Sequence, residues 1–215
     1  MNQAELLKKI REKKLVPVVK LDRAEDAEPL CEALCEGGLP VAEITFRTSA
    51  AEESIRSAVR KFPNMMVGAG TVINVEQAKR AMDAGASFLV SPGISREVTE
   101  WALKNRICIF PGTCTPSEVM TALGYDLPVV KFFPASQYGG LETIKALSAP
   151  FPGISFMPTG GIGIHNIKEY LAFERVAACG GSWMVKDTFI KEGNFAKIRE
   201  LTREAVALIN EESVL

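Results

Sequence analysis

Short runs of β-branched and aromatic residues recur along this chain at intervals of roughly 18 to 26 residues. Each is followed by a Gly, Pro or Thr turn and then by a stretch with apolar residues at helical spacing. No other feature restricts the fold as much, because a repeated strand–turn–helix unit forces neighbouring strands to run parallel, with right-handed crossovers. Strands are expected at residues 16–19, 41–45, 65–68, 88–91, 108–110, 129–133, 155–158 and 176–179. Helices are expected at 24–36, 50–61, 75–84, 96–104, 116–123, 141–147, 167–173 and 195–210. Local signals agree: Gly37-Gly38 and Gly85 stand where a left-handed helix terminator is wanted, Asn74 can cap the helix after it, and Pro116 occupies a first helical position. Eight such units close most simply into an α/β fold, a (β/α)8 TIM barrel, with an extra helix near the N-terminus where Leu6, Leu7 and Ile10 share a face. A doubly wound open sheet is the alternative. No linker or low-complexity tract divides the chain, so one domain over 1–215 is expected.

Charge and cysteine usage remove several function classes. With 25 basic against 26 acidic residues, the chain lacks the clustered positive excess that nucleic acid demands. Its apolar runs fall far short of the ~20 residues that cross a bilayer, and its charged first 14 residues lack a secretory core. Five scattered cysteines suit reduced thiols, and the expected location is the cytoplasm. Cys31 and Cys35 lie one helical turn apart, but a tetrahedral zinc site needs four ligands and the chain has one histidine, His165, so they read as apolar fillers of a helix face and no metal is expected.

The chemistry is expected at the C-terminal strand ends, where barrels of this kind carry their working residues. In the run at 129–133, Val-Val-Lys-Phe-Phe, period-2 alternation sets Val129, Lys131 and Phe133 on one face. A lysine in mid-strand of a sheet covered on both sides has no easy route to water. Burial disfavours an ammonium and leaves a share of free amine, which attacks carbonyls to form a carbinolamine and then a Schiff base. The competing reading is a lysine that snorkels to the rim or pairs with a carboxylate. In the run at 41–47 the same alternation groups Glu43 with Thr45 and Arg47. Glu43 is then either a proton shuttle for imine chemistry or one half of an inert ion pair.

Two diglycine stretches follow the last two strands, Thr159-Gly160-Gly161 and Gly180-Gly181-Ser182. Glycine lets backbone amides approach an anion, and phosphate is often held between these two loops of a barrel; tight turn geometry is the competing, weaker reading. Gly68-Ala69-Gly70-Thr71 and Ser91-Pro92-Gly93 read as sharp strand ends. Thr71 offers a hydroxyl, and Arg47 a guanidinium, to a substrate carboxylate.

Taken together, Pro17-Val18-Val19, Glu43-Ile44-Thr45-Phe46-Arg47-Thr48, Val67-Gly68-Ala69-Gly70-Thr71-Val72, Ser91-Pro92-Gly93, Lys131-Phe132-Phe133-Pro134, Pro158-Thr159-Gly160-Gly161 and Gly180-Gly181-Ser182-Trp183 resemble the class I 2-keto-3-deoxy-6-phosphogluconate (KDPG) and 4-hydroxy-2-oxoglutarate (KHG) aldolases. The resemblance runs from about Leu15 to the C-terminal helix. It implies Lys131 as the Schiff-base lysine and Glu43 as the general acid/base. It further implies Arg47, Thr71 and Pro92 around the pyruvoyl group with Phe133 packed nearby, and Thr159, Gly160, Gly161, Gly180, Gly181 and Ser182 at the distal, phosphate-bearing end. It implies small 2-keto acid and aldehyde substrates, no cofactor beyond the covalent imine on Lys131, no metal, and a homotrimer with no nucleic-acid or membrane partner. The stretches Thr113-Cys114-Thr115-Pro116 and Gly163-Ile164-His165 depart from the commoner family loops. Two other classes use the same residues without an imine: a phosphosugar isomerase and a non-catalytic sugar-phosphate-binding protein.

Overall fold

A computed structural model describes residues 3–211; residues 1–2 and 212–215 of the expected domain lie outside them. Nine parallel strands occupy the middle of the molecule: β1 Leu15–Val19, β2 Val41–Thr45, β3 Met66–Gly70, β4 Leu89–Val90, β5 Ile109–Phe110, β6 Gly112–Thr113, β7 Val129–Phe132, β8 Ser155–Pro158 and β9 Cys179–Gly181. Every residue in them is buried. That accounts for their near-continuous apolar composition, since helices cover parallel strands on the outside.

The expected closed eight-stranded TIM barrel is not what forms. The strands make a curled, six-stranded half-barrel ordered β5-β4-β3-β2-β1-β9 and a separate three-stranded sheet ordered β6-β7-β8. The first break falls at Pro111, which has no N–H to donate and divides the expected strand at 108–110 and its continuation into β5 and β6. On its near side Phe110 accepts from Ser91 N–H of the six-stranded sheet, while the Pro111 carbonyl accepts from Lys131 N–H of the other. The second break lies between β8 and β9. There the chain pairs only through the single bridges Phe156–Val176 and Thr159–Gly180, and the expected strand at 176–179 shifts to Cys179–Gly181.

The helices follow the periodic segments closely. Gln3–Lys13 buries Leu6 and Ile10. Asn74 accepts a hydrogen bond from Gln77 N–H at the start of Val75–Asp83, and Gly38 and Gly85 take the left-handed conformation after their helices. The helix Pro116–Leu123 starts with a reciprocal cap in which Thr115 and Glu118 each satisfy the other's backbone N–H. The unusual loop 113–116 is therefore a helix start. The helix expected at 167–173 is shorter, Ile167–Leu171, and that expected at 24–36 opens with a 3-10 turn, Ala24–Asp26, before Ala27–Glu36.

Inside the curl, Phe88 meets Phe110 edge to face at 5.8 Å, and on the three-stranded sheet, on the side away from Lys131, Phe132 meets Phe156 at 6.5 Å. The Phe88 ring lies so near Gly68 that a Cβ on that glycine would overlap it. Gly68 falls within β3 as expected, and the strand runs two residues further, to Gly70; both are small because side chains from neighbouring strands occupy the space above them.

Candidate active site

The C-terminal ends of the strands open into a cavity of about 360 Å³, a size suited to a small-molecule ligand. Glu43, Arg47, Thr71, Pro92, Lys131, Phe133, Thr159, Gly160, Gly161, Gly180, Gly181 and Ser182 all line it, joined by Val18 and Ile162. All twelve residues singled out from sequence thus come together in one place. The two additions are apolar wall residues, indistinguishable in the sequence from the core.

Lys131 and Glu43 face each other across this cavity. Their side chains are only 6% and 1% exposed, and Lys131 Nζ donates to Glu43 Oε1 at 3.4 Å. Nζ also lies 5.1 Å from the centre of the Phe133 ring, over its face. Strand alternation explains the convergence, since Glu43 shares its side of β2 with Thr45, and Lys131 shares its side with Phe133, the residue just after β7. The second carboxylate oxygen, Glu43 Oε2, is buried without a hydrogen-bond partner among the described residues. An uncompensated buried acceptor is costly and rarely retained without use. The pair therefore presents an amine and a spare proton acceptor to whatever enters the cavity.

Clearance for this pair comes from β3. A Cβ on Gly70 would overlap Glu43 Oε1 and approach Cγ to 2.6 Å, so the carboxyl lies directly over a glycine. Immediately after it Thr71 adopts φ +56°, a left-handed conformation that costs a β-branched residue about 1–3 kcal/mol. Its neighbours hold it there through Phe46 N–H to Gly70 O at 2.7 Å and Val72 N–H to Val90 O at 3.1 Å. On the next loop the Ser91 hydroxyl donates to Gly93 O at 2.8 Å and shapes the turn that carries Pro92.

The two diglycine stretches serve different geometries. Gly160 and Gly161 have φ +100° and +75°, which L side chains rarely adopt. Gly180 and Gly181 instead extend along β9. There a Cβ on either would run into Thr159 Oγ1 or the Trp183 ring. Ser182, exposed beside them, makes no side-chain hydrogen bond among the described residues. His165 is exposed and stays outside the cavity lining, as does Cys114.

No cysteine is among the residues lining the cavity. Desolvation pushes the buried thiols of Cys31 and Cys108 up to about 12 and raises that of Cys179 as well, which keeps them protonated and unreactive. Among the described residues no three His, Cys, Asp or Glu side chains gather in a metal-binding group, and no helix is long and apolar enough to cross a membrane.

The chain matches the family described as KDPG and KHG aldolase over residues 6–201. It is 42% identical to the 2-dehydro-3-deoxy-phosphogluconate aldolase of Haemophilus influenzae over 205 residues, 95% of this chain and 97% of that protein. It is 40% identical to the KHG/KDPG aldolase of Escherichia coli K12, with 89% and 90% covered. Among solved structures it resembles the KDPG aldolase of Legionella pneumophila, crystallised with pyruvate captured at low pH as a covalent carbinolamine intermediate. That match has a TM-score of 0.86 and 42% identity, over 89% of this chain and 93% of the other. On these matches the chain belongs to the KDPG and KHG aldolase family.

Proposed function

We propose that this protein is a class I, metal-independent aldehyde-lyase. It cleaves 2-keto-3-deoxy-6-phosphogluconate reversibly to pyruvate and glyceraldehyde 3-phosphate, and also takes 4-hydroxy-2-oxoglutarate to pyruvate and glyoxylate. The observation that carries this reading is the buried Lys131–Glu43 pair at the cavity floor, 3.4 Å apart. The covalently captured pyruvate of the Legionella relative supports it.

In this mechanism Lys131, as free amine, attacks C2 of the 2-keto acid and forms a carbinolamine. Glu43 moves the proton that lets the C2 oxygen leave as water, giving the imine. When the C3–C4 bond breaks, its electron pair flows into the protonated imine while Glu43, directly or through water, takes the C4 hydroxyl proton. The aldehyde departs, the enamine is protonated at C3, and water releases pyruvate and returns the amine. Arg47 and Thr71 receive the carboxylate, with Pro92 and Phe133 closing around the pyruvoyl group. The distal end of the substrate meets Thr159, the Gly160-Gly161 stretch and the Gly180-Gly181-Ser182 stretch, where glycine backbone lets a phosphate approach closely. No cofactor is needed beyond the imine. The protein works as a single-domain subunit of a homotrimer in the cytoplasm.

Borohydride added with pyruvate is expected to leave an irreversible adduct that peptide mass spectrometry locates on Lys131. Active protein without that adduct would instead be a phosphosugar isomerase, and ligand binding without turnover would mark a sugar-phosphate-binding protein. For the distal end, Ser182→Asp is expected to raise KM for the phosphorylated aldol by about tenfold through like-charge repulsion, with a much smaller change for 4-hydroxy-2-oxoglutarate. Equal KM values for wild type and variant would discredit phosphate binding there.

A further inference from the structure

Arg47 is exposed, lines the cavity and forms no ion pair with a carboxylate among the described residues. A long side chain in that situation ordinarily samples many rotamers and loses entropy when it binds an anion. Here one edge of its guanidinium is already tied down: Arg47 Nε donates to Thr45 Oγ1 at 3.2 Å. Thr45 is the last residue of β2, is 1% exposed, and gives its own hydroxyl proton to the carbonyl of Val19 at 2.8 Å. A hydroxyl has one proton. Once that proton is committed to Val19, only lone pairs face Arg47, and the direction of the second bond follows.

The chain of contacts starts on a rigid element. Val19 ends β1 and stands in register with Ile44, and the preceding pair in the same ladder is Val18 with Glu43. The carbonyl that orients Thr45 thus belongs to the strand pair that presents Glu43, so the guanidinium is referenced to the same backbone as the proton shuttle. With Nε occupied, both terminal nitrogens of Arg47 remain uncommitted, and they form the edge suited to a bidentate contact with a carboxylate.

We propose that Thr45 is a positioning residue that orients Arg47 for the carboxylate of the 2-keto acid, acting through its hydroxyl and not through contact with substrate. The proposal rests on the aldolase reading given above. Thr45→Val keeps the shape of the side chain and removes the acceptor. It is expected to raise the half-saturating pyruvate concentration in borohydride trapping, and KM for the aldol, by about tenfold, the size of one lost hydrogen bond to a charged group. The rate at saturation should stay within about threefold of wild type. Thr45→Ser retains the hydroxyl and is expected to restore wild-type half-saturation. Thr45→Ala, in whose space water can serve the Val19 carbonyl, is the second variant should the valine protein not fold, and is expected to show the same rise.

In an Arg47→Ala background, adding Thr45→Val or Thr45→Ala should bring no further rise, because the hydroxyl would have nothing left to orient. Additive effects would assign Thr45 a merely structural role, and unchanged half-saturation in both single variants would overturn the proposal outright. A wild-type protein that forms no pyruvate adduct would overturn the aldolase reading itself and the proposal with it. That outcome is visible before any variant is compared.

Discussion

Lys131→Met is expected to abolish the pyruvate adduct and to lower kcat/KM for the aldol by about 10⁴-fold or more, because methionine matches the lysine stem as far as Cε but has no nitrogen to form an imine. The same substitution has a second, separable consequence. Lys131 Nζ is the hydrogen-bond partner of Glu43 Oε1, and Oε2 has none among the described residues, so the variant leaves a carboxyl group buried at 1% exposure without compensation. Removing one member of a buried ion pair typically costs about 3–5 kcal/mol. At about 2–4 °C per kcal/mol for a chain of this size, Tm should fall by roughly 6–20 °C. Lys131→Met combined with Glu43→Leu removes the orphaned carboxyl as well, and is expected to regain most of that stability and none of the activity. A restored fold with no turnover separates the loss of the nucleophile from the loss of structure. An adduct that persisted in either variant would show that another amine does the chemistry.

Gly70→Ala is expected to lower kcat/KM by about 10²-fold, although the substituted residue contributes no reacting atom. Gly70 does not lie in the left-handed region, so alanine meets no backbone obstacle. The conflict is with the Glu43 carboxyl group, into which the new methyl would project. Glu43 has little room to yield: it is buried between Lys131 and its own strand, whose residue Thr45 pairs in register with Gly70 itself. A displacement of about 1 Å in a catalytic group costs on the order of 10²-fold, and overpacking of this kind destabilises by about 1–3 kcal/mol. Gly153→Ala is the matched control. It lies away from the cavity, has no atoms within 4 Å of the added methyl, and should leave activity and Tm unchanged. If Gly70→Ala retained activity within twofold, the carboxyl would not need its present position and Glu43 would lose its role as proton shuttle.

The Lys131–Glu43 pair was legible in the chain because a charged residue inside an otherwise apolar run of strand residues is an anomaly that alternation can orient. Lys131 and Glu43 each break such a run, and alternation told which neighbours share the face of each, though not that the face of Lys131 opens into the cavity. Thr45 was grouped with Glu43 and Arg47 but given no role of its own, because its two hydrogen-bond partners, one of them a backbone carbonyl on another strand, are set only by the fold. Val18 and Ile162 escaped because an apolar residue on a cavity wall has the same composition signal as one in the core. Gly70 was expected just past its strand and Gly180-Gly181 in a loop that holds phosphate or turns tightly, since glycine permits both tight turning and close approach, and only the neighbours Glu43, Thr159 and Trp183 reveal that these glycines extend their strands.

By itself the amino-acid sequence determined the succession of strands and helices, most helix ends, and the side of each strand on which its anomalous residues stand. These follow from local forces: alternation, helical periodicity, capping and the restrictions of proline and glycine. Whether the strands close into one ladder was decided only in three dimensions. Pro111 withdraws a donor at one seam, and the backbone between β8 and β9 meets at two single bridges. Closure depends on pairing registers between segments far apart in the chain, which no local pattern encodes. The 3.4 Å approach of Lys131 to Glu43, 88 positions apart, belongs to that same non-local geometry.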